Sequence, residues 1–122
     1  MTTILLVDDD PFVLKALVHG LRRSRPGWSC SLAADGAAAL EELAKADFDV
    51  VVTDMRMPRM DGAGLLTRVR DAYPRAVRIV LSGQAEGAQM DCARSVADAI
   101  LSKPTPVSVL VTCIDGALAR RA

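Results

Sequence analysis

Phe48-Asp49-Val50-Val51-Val52-Thr53-Asp54-Met55-Arg56-Met57-Pro58 is an apolar run that stops on a carboxylate and then turns. Three valines in a row, with no polar alternation, suit a strand covered on both faces, as in a parallel sheet. Asp54 then falls at the carboxyl edge of that strand, where a charge is costly to bury without a partner. Two other apolar runs also end in charge: Ile4-Leu5-Leu6-Val7 leads into Asp8-Asp9-Asp10, and Ala99-Ile100-Leu101 leads through Ser102 to Lys103-Pro104. Three acids and a lysine at strand ends form a set able to hold a divalent metal and a phosphoryl group.

Working outward, strand-like runs occur at Thr3–Val7, Trp28–Ala33, Asp49–Thr53, Ala76–Leu81 and Ala99–Leu101. The second alternates apolar with polar residues, which suits a sheet edge. Helical patterns lie between the runs. Asp10-Pro11 reads as an N-cap and first helical residue, followed by Val13, Leu14, Leu17, Val18 and Leu21 at helical spacing. Arg25-Pro26-Gly27 stops that helix. Asp35 caps a second, carrying Ala39, Leu40 and Leu43, and Asp61-Gly62 opens a third, with Leu65, Leu66 and Val69, which ends before Pro74. The fourth, roughly Glu86 to Ser95, has the weakest pattern, with Gly87 and few large apolar residues. The fifth follows Pro104 and Pro106, with Val107, Leu110, Val111, Ile114 and Leu118. Val109 and Cys113 add a second apolar stripe there, either a small-residue core spread over a wide face or a contact surface for a second copy or an output domain.

Strand and helix alternating five times with short connections predict an α/β fold, a (βα)₅ doubly wound parallel sheet with helices on both faces. In such sheets ligands gather at the carboxyl ends of the strands.

At 122 residues the chain predicts one domain, large enough to bury a core without staples. Lys+Arg and Asp+Glu both number 15, which argues against a general attraction to nucleic acid or to a membrane surface. Only 3% of the residues are aromatic against 51% hydrophobic, so the core must be aliphatic. No apolar run approaches membrane-spanning length, and the expected location is the cytoplasm. Cys30, Cys92 and Cys113 are widely spaced, and the expectation is buried free thiols.

The strand ends carry the chemistry. Asp10 reads as a helix cap. Asp8 and Asp9 are adjacent carboxylates, and Asp54 from a neighbouring strand adds a third charge; one acid would be driven protonated unless a cation intervenes. Mg²⁺ resolves this, since it accepts one or two carboxylates and keeps waters and phosphate oxygens as its other ligands. Ser82-Gly83 ends the fourth strand with a hydroxyl that can donate to an anion and a glycine that leaves the backbone N–H approachable. Lys103 supplies a compact positive charge for Asp54 or for a phosphoryl oxygen.

The order Leu6-Val7-Asp8-Asp9-Asp10-Pro11, Val52-Thr53-Asp54-Met55-Arg56-Met57-Pro58, Met60-Asp61-Gly62, Leu81-Ser82-Gly83 and Lys103-Pro104 closely resembles the receiver domain of two-component response regulators. The resemblance spans residues 1–122 and implies a flavodoxin-like strand order 2-1-3-4-5, within a chain that could be the N-terminal part of a longer protein. It implies that Asp54 is the phosphoacceptor for a histidine kinase or phosphotransfer protein. It further implies that Asp8, Asp9, Asp54 and the backbone carbonyl of Arg56 hold Mg²⁺, that Ser82, Lys103 and the Gly83 N–H meet the phosphoryl group, and that the bond before Pro104 is cis. Gln84 and Arg56 take positions that in that family influence phosphate lifetime. The partner on the other side is an output domain or effector protein, and Val77–Gln84 is similar to receivers joined to phosphodiesterase-type outputs.

The chain departs from that pattern at Ile100, where receivers commonly carry Tyr or Phe as the switch partner of Ser82. An aliphatic side chain cannot report by ring rotation, so output is expected to run through the fourth helix. Two other readings compete: a non-phosphorylated pseudo-receiver, favoured by Ile100 alone, and a phosphatase of the haloacid-dehalogenase type. The second needs a threonine two residues beyond Asp10, where this chain has Phe12.

Overall fold

A computed structural model describes residues 1–83 and 88–121 of the chain. Within them the elements run β1 (Thr3–Val7), α1 (Pro11–Ser24), β2 (Ser29–Ala33), α2 (Gly36–Lys45), β3 (Val50–Asp54), α3 (Gly62–Ala72), β4 (Val77–Ser82), α4 (Ala88–Val96), β5 (Ala99–Ser102) and α5 (Val107–Arg121). The strands form one parallel sheet in the order β2-β1-β3-β4-β5, as the resemblance implied. Expected strand bounds hold to one residue. Two of the shifts matter, because β3 runs on to Asp54 and β4 to Ser82, so both belong to the ladder itself.

Side chains along a strand alternate between faces, and here that alternation sorts the core into two layers. Ile4, Leu6, Val50, Val52, Val77, Ile79 and Leu81 pack with Leu14 and Leu21 of α1 and Leu110, Val111, Ile114 and Ala117 of α5. Leu5, Val7, Val51 and Val80 pack with α2, α3 and α4, through residues such as Leu43, Leu66, Ala93 and Val96. Burying each of the large aliphatic side chains stabilises the fold by about 2 kcal/mol. The apolar runs of β1 and β3 are therefore read correctly as strands covered on both faces.

The helix starts follow from their caps. Asp10, Asp35 and Asp61 accept from the N–H groups of Phe12 (2.9 Å), Ala38 (2.7 Å) and Gly64 (2.8 Å), each cap worth about 1 kcal/mol. Gln84, Glu86 and Gly87, named in the sequence reading, lie outside the described residues. The described end of α4 is fastened by Arg78, whose guanidinium donates to Val96 O (2.6 Å), Ala76 O (3.2 Å) and Pro74 O (3.3 Å). Asp98 accepts the Arg78 N–H at 2.7 Å and pairs with Arg121 of α5 at 2.7 Å.

One expectation needs correction, and two others are sharpened. Cys92 is exposed and only Cys30 and Cys113 are partly buried, because α4 turns Met90, Ala93 and Val96 inward at helical spacing and leaves Cys92 off that stripe. Of the two α5 stripe residues, Cys113 belongs to the spread core, packing against the α1/α5 layer, while Val109 stays 46% exposed. β2 is an edge strand as expected, but its apolar face is incomplete, since Leu32 beyond Trp28 and Cys30 is exposed.

Arg59 has φ 70°, the left-handed region where a Cβ is unfavourable and glycine is not. Arg59→Gly should raise stability by about 1 kcal/mol. The check is the midpoint of urea unfolding; an unchanged or lower midpoint contradicts the strain.

Candidate functional site

The same alternation that builds the core assembles the site. Asp54 continues the parity of Val50 and Val52, Lys103 that of Ala99 and Leu101, and Asp8 that of Ile4 and Leu6. All three preceding pairs face the α1/α5 layer. Asp8 lies one residue past β1 yet stays in register, its N–H donating to Ala33 O at 3.2 Å. Lys103 Nζ lies 2.8 Å from Asp54 Oδ1 and 3.2 Å from Asp8 Oδ2. Asp8 is 2% exposed, and its Oδ1 accepts from the Asp10 N–H at 2.9 Å. Asp9 is exposed and Asp54 half-buried.

One oxygen from each of Asp8, Asp9 and Asp54 lies within 4.8 Å of the other two. Three carboxylates against one ammonium leave the cluster with two negative charges. An all-oxygen donor set of that charge, with Asp8 withdrawn from water, fits a hard divalent cation such as Mg²⁺. Burial pushes the Asp54 carboxyl above its ordinary range; the hydrogen bond and charge of Lys103 pull it back, and Asp8 raises it again. Burial also works against the Lys103 ammonium, but Asp54 and then Asp8 outweigh it and hold Lys103 above its ordinary value. One lysine thus serves two acids, and Asp54 is left short of positive charge.

A cavity of about 360 Å³ opens over this corner, lined by Asp54, Met55, Arg56, Ser82, Gly83 and Lys103. Five of those six are residues that the sequence singled out. Ser82 is 6% exposed and takes the opposite parity to Asp54, on the α4 side of the sheet. Ile100 shares that side and packs against the layer that contains Met90, Ala93 and Val96. A Cβ built on Gly83 meets no atom within 4 Å, so this cavity-lining glycine is not required by packing. The Lys103–Pro104 bond is cis.

Two supports were missed from sequence. Thr53, fully buried, donates its hydroxyl to Asp54 O at 2.9 Å and fixes the backbone of the acid. Gly62 packs so closely beneath it that a Cβ would lie 2.5 Å from Asp54 O and 3.0 Å from Met55 Cα, while its N–H donates to Met55 O at 2.8 Å. Gly62 stood in the quoted Met60-Asp61-Gly62 signal, but only as a helix start. Thr53 carries no local signal beyond its place in the strand.

A parallel sheet of this order with acids and a lysine converging at its carboxyl edge defines a receiver-type signalling module. Residues 4–115 match the family model described as the response regulator receiver domain, and the chain belongs to that family. It is 36% identical over 122 residues to the transcriptional regulatory protein GlrR of Escherichia coli (strain K12), covering 98% of this chain and 27% of that one. It is 38% identical over 110 residues to the sensor histidine kinase RcsC of Salmonella typhimurium, covering 88% of this chain and 11% of that one. The chain thus spans about a quarter or less of these relatives. Among solved structures, the signal receiver domain of an HD domain-containing protein from Pseudomonas fluorescens Pf-5 superposes with a TM-score of 0.91 at 31% identity, covering 98% of this chain and 96% of that one. A CheY-like receiver domain from Methanospirillum hungatei JF-1 gives 0.92 at 25%, covering 99% and 96%. The module is a receiver of two-component signalling, found in response regulators and in histidine kinases alike. Among the described residues no helix is long and apolar enough to cross a membrane.

Proposed function

We propose that Asp54 accepts a phosphoryl group from the phosphohistidine of a histidine kinase or phosphotransfer protein, and that the change is passed to an output domain or effector protein. The observation that carries this reading is Asp54 Oδ1 held 2.8 Å from Lys103 at the mouth of a small cavity, beside Asp8 and Asp9. An Asp54 oxygen forms the new O–P bond as the N–P bond of the donor breaks, and the imidazole leaves with its nitrogen electron pair. A carboxylate is a weak nucleophile, so positioning and charge stabilisation supply most of the rate. Mg²⁺, held by Asp8, Asp9, Asp54 and the Arg56 carbonyl, would neutralise charge on the phosphoryl oxygens. Lys103 pairs with one such oxygen, the Ser82 hydroxyl donates to another, and the Gly83 N–H is open to a third. The acyl phosphate is later cleaved by water. The domain acts on its own carboxylate and has no other substrate.

Incubation with acetyl phosphate should add one phosphoryl group in the presence of Mg²⁺, released by hydroxylamine as an acyl phosphate is. Uptake that persists unchanged in excess chelator would remove the metal from this account.

With Ile100 on the same face of the sheet as Ser82, the readout runs through α4, whose packing layer Ile100 joins. Amide exchange across residues 88–100 should change when a beryllofluoride phosphoryl mimic is bound; unchanged exchange refutes that route. A homodimer would rest on Val109, and Val109→Lys should then abolish any concentration dependence in sedimentation.

A further inference from the structure

Beside the phosphoacceptor lies a second, larger cavity of about 840 Å³, within the size range of small-molecule sites. It reaches the phosphoacceptor corner at Asp9 and Ser82. Three arginines line it, Arg56 and Arg59 in the β3–α3 loop and Arg68 on α3. Among the described residues neither Arg59 nor Arg68 is held by a carboxylate. The cavity also has two acids, Asp9 and Asp61, of which Asp61 is occupied as the α3 cap.

Its apolar wall is equally particular. Met55, Met57, Met60 and Met90 all line it, which is every methionine of the chain except Met1. Thioether side chains are polarisable and adjust to irregular shapes. The third observation concerns the backbone. Arg59 stands at φ 70°, where glycine would be unstrained, so the fold carries a cost to keep an arginine at this lining position.

We propose that this cavity binds a small organic anion, a phosphonate, phosphate or carboxylate on an apolar body. Its charge meets Arg59 and Arg68, which present forked donors suited to such groups, and its body lies on the methionines. A ligand there covers Asp9 and Ser82 and so narrows access to the phosphoacceptor corner. Binding itself does not depend on the chemistry of Asp54.

The test is a titration of the full chain, labelled at the methionine methyl carbons, with phenylphosphonate and Mg²⁺. Met55, Met57, Met60 and Met90 signals should shift along one saturating curve while Met1, 93% exposed, stays still as an internal reference. Arg59→Gly, expected to be more stable than wild type, should nevertheless bind at least tenfold more weakly, as should Arg68→Gln. Asp54→Asn should keep its affinity, which separates this site from the phosphoacceptor reading. Three results would overturn the proposal: no methionine shift, equal affinity in Arg59→Gly and Arg68→Gln, or the same shifts with inorganic phosphate alone.

Discussion

Lys103→Met should lower stability by about 2 kcal/mol at neutral pH without divalent cation. Breaking a fully buried ion pair costs roughly 3–5 kcal/mol. The smaller figure applies because 27% of the Lys103 side chain and 12% of that of Asp54 remain exposed. Methionine is an unbranched side chain one atom shorter that removes the ammonium and its hydrogen bonds, so Asp8, Asp9 and Asp54 are left to repel one another. The effect is pH-dependent with a definite sign. A carboxyl whose folded pKa lies above its unfolded value binds its proton more tightly in the folded state, so its burden on stability grows as pH rises through the ordinary value of 3.8. Removing Lys103 takes away the charge that opposes the shift, so the window extends further upward. The variant should therefore approach wild-type stability in acid and fall away from it toward neutrality. Added Mg²⁺ should recover part of the loss by binding the folded state alone. Phosphoryl uptake should slow by about a hundredfold, the scale of losing one charge-stabilising donor. A variant equally stable at all pH values would mean that Lys103 does not hold the acids together.

Gly62→Ala is expected to be nearly as damaging although it adds one methyl group. The new Cβ would stand 2.5 Å from Asp54 O and 3.0 Å from Met55 Cα, and both are backbone atoms that cannot rotate aside. Either α3 backs away, opening the packing of Leu65 and Leu66, or the end of β3 moves and takes the Asp54 carboxylate out of line with Lys103. Overpacking of this kind costs about 2 kcal/mol, and a displacement near 1 Å slows an aligned transfer by about a hundredfold. Gly64→Ala is the matched control. Its nearest neighbours are the Asp61 and Met60 side chains, at 3.3 and 3.4 Å. Stability there should be unchanged or slightly higher, as for glycine replaced within a helix. Equal behaviour of the two variants in thermal unfolding and in phosphoryl uptake would remove Gly62 from the site.

Much of this was legible in the chain for physical reasons. Ile4-Leu5-Leu6-Val7 and Val50-Val51-Val52 admit no polar face, so a strand covered on both sides was the natural reading. Residues at strand ends in a parallel sheet must gather at one edge, and this brought Asp8, Asp54, Ser82 and Lys103 together before any coordinates. The exposure of Cys92 was missed, because the fourth helix has few large apolar residues to reveal that Met90, Ala93 and Val96 set its inward stripe. Other features had no local signature. Arg78, Asp98 and Arg121 are far apart in sequence and meet only because β4 and β5 begin, and α5 ends, at the same edge of the sheet. The four cavity methionines likewise come from one loop and one helix that the fold brings together. The role of Gly62 depends on how closely α3 approaches β3, which spacing alone does not give.

The account rests on Asp54 being the nucleophile, and intact mass after incubation with acetyl phosphate and Mg²⁺ tests that directly. Wild type should gain a single phosphoryl group and Asp54→Ala none, with the fold of the variant checked by circular dichroism. No gain in wild type, or an equal gain in Asp54→Ala, would contradict it.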